Sequence, residues 1–187
     1  MKALGIVIKK QNKKESDQLL TVLTKEFGKV VFTAKGVRKE SAKLAGHLGL
    51  FNMSEINFVH GRHQRIITSA LERESFAGLK KDPAKVEAAR HAADLADRCL
   101  LSEEPDERVF NLVLGSLDYL NRKELGQFEL KMFLRYLEFK LLSLLGYEPE
   151  DKTIVDAFTR SYIRLSESEL DEMAERFNGY FQNIYTT

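Results

Sequence analysis

The hydrophobic period of this 187-residue chain changes once, from about two to about 3.6 near Phe76, and that change restricts it to a β portion followed by an α portion. Before the change, three strands are expected: Lys2 to Ile8, which alternates in part, the apolar run Gln18 to Leu23, and Lys29 to Ala34 after a turn at Phe27-Gly28. Two more, Leu50 to Val59 and Gln64 to Glu72, flank His60-Gly61-Arg62-His63, whose glycine and polar neighbours suit a hairpin. Five strands fit a small closed barrel of the oligonucleotide-binding (OB) type, with an SH3-like barrel as the alternative.

After a boundary near Ala77 to Asp82 the chain reads as helices. Asp82-Pro83 supplies an N-cap and a proline at the first helical position, and Val86, Ala89, Ala93, Ala96 and Leu100 recur at helical spacing to about Leu101. Pro105 opens a second helix, with Val109, Val113, Leu117 and Leu120 on one stripe and a polar end at Asn121-Arg122-Lys123, so the pair can form an antiparallel hairpin. A third, from about Glu124 to Leu145, is apolar around more than one face and should be central; Gly146 stops it and Pro149 prevents its resumption. Ser166 and Glu169 make a capping box before Leu170, Met173, Ala174, Phe177 and Phe181, which gives a last helix. The expected class is α+β: an N-terminal five-stranded OB-fold barrel over residues 1–77 and an all-α domain over 78–187.

Net charge is +1, but its distribution says more. Residues 1–80 carry 15 Lys and Arg against 7 Asp and Glu, a balance of +8, and the remainder carries 14 against 21, a balance of −7. The first half therefore suits a polyanion, while the second meets something else or packs against the first. The cations also cluster. Lys9, Lys10, Lys13 and Lys14 follow the first strand, Lys29, Lys35, Arg38, Lys39 and Lys43 surround the third, and Arg62 and Arg65 lie at the hairpin. Several such groups on one face release condensed counterions from a phosphate backbone, giving salt-dependent affinity with little sequence preference. Phe32, Phe51 and Phe58 could stack on unpaired bases, but at strand spacing aromatics belong more often to a core, and they are left unassigned.

Other functions find little support. The apolar run Leu141 to Leu145 is interrupted by Ser143 and adjoins Glu138 and Lys140, so no membrane span is expected. The start, MKALGIVIKK, has too short an apolar stretch for a secretory leader, which makes the cytoplasm the expected location. Cys99 is the only cysteine; it excludes an intrachain disulfide and paired-cysteine zinc sites, and reads as a small buried thiol. No phosphate-cradling loop, dinucleotide fingerprint, nucleophile elbow or metalloprotease spacing occurs, so the chain is not expected to be an enzyme. His60 and His63 read as phosphate donors or turn residues rather than metal ligands, and His47 and His91 have no role that spacing specifies. Glu15 and Asp17 flank Ser16 just before a strand, where capping and turn hydrogen bonds account for them.

Taken together, the motif residues resemble the bacterial recombination mediator family RecO. The resemblance lies in Glu15-Ser16-Asp17 before an apolar strand, Thr24, Phe27-Gly28-Lys29, Ala34-Lys35-Gly36-Val37-Arg38-Lys39, Ser41, Lys43, Leu48 and Phe51. It extends more loosely through Gly78-Leu79 and Leu144-Leu145-Gly146-Tyr147-Glu148-Pro149. It implies a protein of DNA repair that binds single- and double-stranded DNA, anneals complementary strands without hydrolysing nucleotide, and helps load RecA. The implied partners are RecR and the C-terminal tail of the single-stranded DNA-binding protein, the latter taken by the helical domain; the implied location is cytoplasmic and nucleoid-associated. Lys35, Arg38 and Lys39 match the family's basic loop after the third strand and are the expected first DNA contacts, with Lys29, Lys43, Arg62 and Arg65 extending the track.

One departure is large. Many relatives carry a four-cysteine zinc site after the Gly-Tyr segment, whereas here Tyr147 leads into a stretch without cysteine, so no metal or other cofactor is expected. The chain also reads as shorter than typical members, with Arg160 and Arg164 as partial substitutes for DNA contacts from that end. Lys131, Arg135 and Lys140 are expected to pair with Glu129, Glu138 or a neighbour on the central helix. Two other functions fit the same residues: a protein–protein adaptor whose basic loop only solubilises, and an RNA-binding OB-fold protein, since cationic loops do not read a 2′-hydroxyl.

Overall fold

The computed structural model describes residues 1–147, apart from 14, 40, 41 and 63, together with residues 152–156, 168, 169 and 175. Lys14, His63, Pro149, Arg160, Arg164 and all but Ser168, Glu169 and Glu175 of the expected last helix therefore lie outside the described residues. The chain divides into two compact units, Met1–Lys123 and Glu124–Thr187.

In the first unit five strands close into a barrel: β1 (Lys2–Asn12), β2 (Gln18–Thr24), β3 (Gly28–Ala34), β4 (Met53–His60) and β5 (Arg65–Glu74), in the order β1-β2-β3-β5-β4. That order is the OB fold, and the structure is α+β as the periodicity predicts. Strand β1 belongs to both halves of the barrel, pairing antiparallel with β4 over Lys2–Ile6 and with β2 over Gly5–Asn12, with a register shift between Val7 and Lys9. A bulge of that kind bends a strand enough to serve two sheets. Gly5 is required at this crossing, because a Cβ there would lie 2.4 Å from Val22 Cγ1. Closure between β3 and β5 is parallel and short, Phe32 with Arg65 and Thr33 with Ile66. Alternation sends Leu20, Val22, Val30, Phe32, Ile56, Phe58 and Ile67 inward. Phe32 and Phe58 meet edge to face at 4.9 Å, and burial of each ring contributes about 2–3 kcal/mol.

Two one-turn helices lie in connections: α1 (Leu44–His47) between β3 and β4, and α2 (Ala77–Lys80) after β5. The longer helices α3 (Pro83–Cys99) and α4 (Glu107–Arg122) complete the unit. Asp82 caps α3 by accepting from Ala84 N–H at 2.9 Å, with Pro83 at the first position, as the sequence predicts. The cap of α4 is Asp106, which accepts from Arg108 N–H at 2.8 Å, so Pro105 stands just outside the helix it is expected to open. Helix α3 buries a face of alanines, Ala88, Ala89, Ala92, Ala93 and Ala96, whose small side chains allow close approach of its neighbours β1 and α4. Cys99 is half-buried at its end, less enclosed than expected. Helix α2 is tied to α4 by Asn121, whose side-chain oxygen accepts from the Gly78 and Leu79 N–H groups at 2.8 and 3.1 Å.

The second unit holds α5 (Gln127–Leu144) and α6 (Lys152–Asp156). Helix α5 buries Leu130, Met132, Phe133, Leu137, Phe139, Leu141 and Leu142, which spread over more than one face. Its one buried acid, Glu138, accepts from Arg135 at 2.7 Å, the pairing expected on that helix. Gly146 ends it at φ +86. No helix among the described residues is long and apolar enough to cross a membrane.

Candidate nucleic-acid interface

The turn at Phe27-Gly28 makes Thr24 pair with Gly28, and counting back along the β2–β3 ladder sets Gln18 against Ala34. The next residues on each side, Asp17 and Lys35, therefore leave the sheet together. Asp17 Oδ1 accepts from the Gly36 N–H at 2.8 Å, and the Ser16 carbonyl accepts from the Arg38 N–H at 3.0 Å. Gly36 turns the chain at φ +64, and Val37 drops into the barrel core at 4 % exposure. With Val37 held inward, Lys35, Arg38 and Lys39 are forced outward and are all exposed, as is Lys43 just before α1. Ser16 and Asp17 thus pin the basic loop.

The hairpin between β4 and β5 is joined to the same end of the barrel. Gln64 Oε1 accepts from Lys13 Nζ at 2.6 Å and from Thr33 Oγ1 at 2.8 Å, which links the β1–β2 loop, the end of β3 and the hairpin. Arg62 and His60 are exposed there. His47 lies in α1, where Nδ1 faces the Glu72 N–H at 3.4 Å and its carbonyl accepts from Ser54. Phe32, Phe51 and Phe58 are buried to 2 % exposure or less and offer no face for a base.

Other cations of the barrel, two of them from the expected track, have acidic partners from the helical part of the same unit. Lys29 is only 13 % exposed; its ammonium lies 3.3 Å from Asp97 Oδ1 and donates to the Asp97 carbonyl. Lys9 donates to Asp97 Oδ2 at 2.8 Å, a bond that raises its pKa. Burial alone would raise the Asp97 carboxyl, but the hydrogen bonds from Lys9 and Lys29 outweigh it and hold it below its ordinary value. Arg65 makes a two-pronged bridge to Glu103 at 2.7 and 2.8 Å, and Lys25 pairs with Glu107 at 2.8 Å. Lys10 is half-buried, which lowers its pKa. The seven expected contacts therefore form two groups: Lys35, Arg38, Lys39, Lys43 and Arg62 face solvent, while Lys29 and Arg65 are engaged within the protein. Sequence reasoning missed the acids Asp97 and Glu103 and the anchor Gln64, and read Asp17 as a capping or turn residue without its link to the basic loop.

Among the described residues no three His, Cys, Asp or Glu side chains gather in a way that could hold a metal ion. The arrangement can neutralise phosphates along a polynucleotide.

Two family models match the chain: the N-terminal part of recombination protein O over residues 1–76, and its C-terminal part over residues 80–152. The chain is 34% identical over 146 residues to the DNA repair protein RecO of a Roseiflexus species, covering 78% of this chain and 50% of that one. Against the RecO protein of a Nostoc species the identity is 35% over 150 residues, covering 80% and 51%, and against that of Acetivibrio thermocellus it is 31% over 149 residues, covering 80% and 58%. The chain spans about half the length of the curated relatives it matches.

Proposed function

The chain belongs to the RecO family of DNA repair proteins, and from that premise we propose that it is a non-catalytic DNA-binding mediator of recombination. It binds single- and double-stranded DNA through the barrel end that carries Lys35, Arg38, Lys39 and Lys43, with Arg62 on the neighbouring hairpin. The observation that carries this reading is the pinned basic loop: Asp17 and Val37 fix its backbone so that three cations within five residues point to solvent. Lys29 and Arg65 join the track only where DNA phosphate replaces their acidic partners.

A cationic surface with few base-specific contacts lowers the repulsion between two strands and leaves their bases open to pairing, which is the physical basis of annealing. Cooperation with RecR, capture of the single-stranded DNA-binding protein's C-terminal tail, loading of RecA and residence at the nucleoid are part of the proposal and rest on family membership. The same holds for the functional division into a DNA-binding part, 1–77, and a helical part, 78–187, which the ends of the two family models support.

The test is fluorescence anisotropy of labelled single-stranded DNA across a salt series, with wild type beside the Lys35→Glu, Arg38→Glu, Lys39→Glu triple variant. Each phosphate contact on a single strand contributes about 0.7 to the log–log salt slope, so the variant should bind far more weakly at low salt, with a slope flatter by roughly 2. Equal binding by the variant would remove the loop from the interface. Absence of wild-type binding at low salt would favour a protein adaptor, and preference for a matched RNA strand an RNA-binding role.

A further inference from the structure

A cleft of about 380 Å³ lies between β3, the β4–β5 hairpin and the α3–α4 connection, and three cations, Lys29, Arg62 and Arg65, line it beside His60. One acid enters it. Glu103 places both carboxylate oxygens on the two terminal nitrogens of Arg65, at 2.7 and 2.8 Å, the fork geometry with which arginine grips a phosphate. Arg65 is 21 % exposed and Glu103 is 57 % exposed, so the carboxylate sits outermost, as a cap on the guanidinium. His60 is the cross-strand partner of Arg65.

The backbone shows that this position is built. Glu103 has φ 65, a conformation that costs a residue with a Cβ energy, and it is held by donation from its N–H to the Lys29 carbonyl at 3.0 Å, beside a bridge between Lys29 and Ser102. Gly28 lets the connection come this close, since a Cβ there would lie 2.2 Å from the Glu104 carbonyl oxygen. A plain tether between loop and barrel needs no carboxylate in a cationic cleft; a group that occupies an anion's place does.

We infer that the cleft is a phosphate subsite for single-stranded DNA and that Glu103 is its internal competitor, released from Arg65 when a backbone phosphate takes its place. The inference rests on the DNA-binding reading and adds regulation to it: Glu103 lowers affinity and keeps binding reversible. Substitution by glutamine keeps the shape and removes the charge that holds Arg65. In the full chain, Glu103→Gln should bind labelled oligothymidylate roughly three- to tenfold more tightly at low salt, with a salt slope steeper by about 0.7. The neighbouring exposed Glu104→Gln, an equal change of net charge, should alter affinity less than twofold. In an Arg65→Ala background the gain from Glu103→Gln should vanish.

Equal or weaker binding by Glu103→Gln overturns the inference, as does a gain that persists without Arg65 or one that Glu104→Gln reproduces. If the loop triple variant loses binding while Glu103→Gln equals wild type, this inference falls and the DNA-binding reading stands. If neither wild type nor Glu103→Gln binds at low salt, both fall.

Discussion

Two sets of cations on one barrel have opposite surroundings. Lys35, Arg38, Lys39 and Lys43 sit on a loop whose backbone is pinned and whose side chains face solvent. Lys9, Lys29 and Arg65 face Asp97 and Glu103, which come from beyond residue 80. The basic first half and the acidic second half of the sequence are thus partly each other's counter-charge, and Lys25 with Glu107 repeats the pattern. A surplus counted along a sequence overstates the field a ligand meets, because acids far away in the chain are folded onto some of the bases.

If the second set is structural, damaging its geometry should cost stability. Gly28→Ala has the largest expected effect: the added methyl meets the Glu104 backbone at 2.2 Å, and φ +65 is strained for alanine. Together these should cost about 3 kcal/mol or more in a urea titration. A midpoint equal to wild type would mean that the connection is not packed on the barrel. Asp97→Asn comes next. It leaves Lys29, at 13 % exposure, without its counter-charge and should cost about 2 kcal/mol. The loop triple variant should change stability by less than about 0.5 kcal/mol while binding DNA far more weakly, the reverse of the Asp97→Asn pattern.

How much of this could be read from the sequence depends on how local each signal is. All five strands, the Asp82 cap and the Gly146 stop are local, and each was legible. Boundaries slipped where a backbone irregularity intervened. The β4 strand begins at Met53 rather than Leu50, after Phe51 takes φ 65, and the shift between Val7 and Lys9 lets β1 run on to Asn12. The exposed loop was legible because Lys35, Arg38, Lys39 and Lys43 cluster in one short connection after the third strand. The pairing of Arg65 with Glu103 was not, since 38 residues separate them and no pattern in either segment specifies the other. Asp17 lies between these cases. The Phe27-Gly28 turn fixes the β2–β3 register, so its place beside the basic loop follows from counting.

Asp17 therefore sharpens the comparison from the other side. Asp17→Ala removes the acceptor for the Gly36 N–H and loosens the loop without touching a cation. Its cost in stability should be about 1 kcal/mol, the usual worth of one such bond. DNA affinity should fall severalfold at unchanged net cation count on the loop. An unchanged affinity would show that loop charge alone suffices and that the pinned backbone contributes nothing to binding.

The smallest expected effect is on pH dependence, and it separates the two sets without disturbing packing. The folded state holds the Asp97 carboxyl below its ordinary value, so folding favours its deprotonated form. The stability this supplies is complete above the unfolded carboxylate's pKa, near 3.8, and is lost as pH falls through the lower folded value. For Lys9 the sign is opposite: its pKa is raised, so its contribution is complete below about 10.5 and is lost as pH rises beyond the folded value. Between those limits the stability difference between wild type and Asp97→Asn should be flat, and it should shrink below about pH 4. Denaturant midpoints for the two proteins from pH 3 to 7 measure this, and a constant difference across that range would show that the Asp97 charge contributes nothing to holding the helical acids on the barrel.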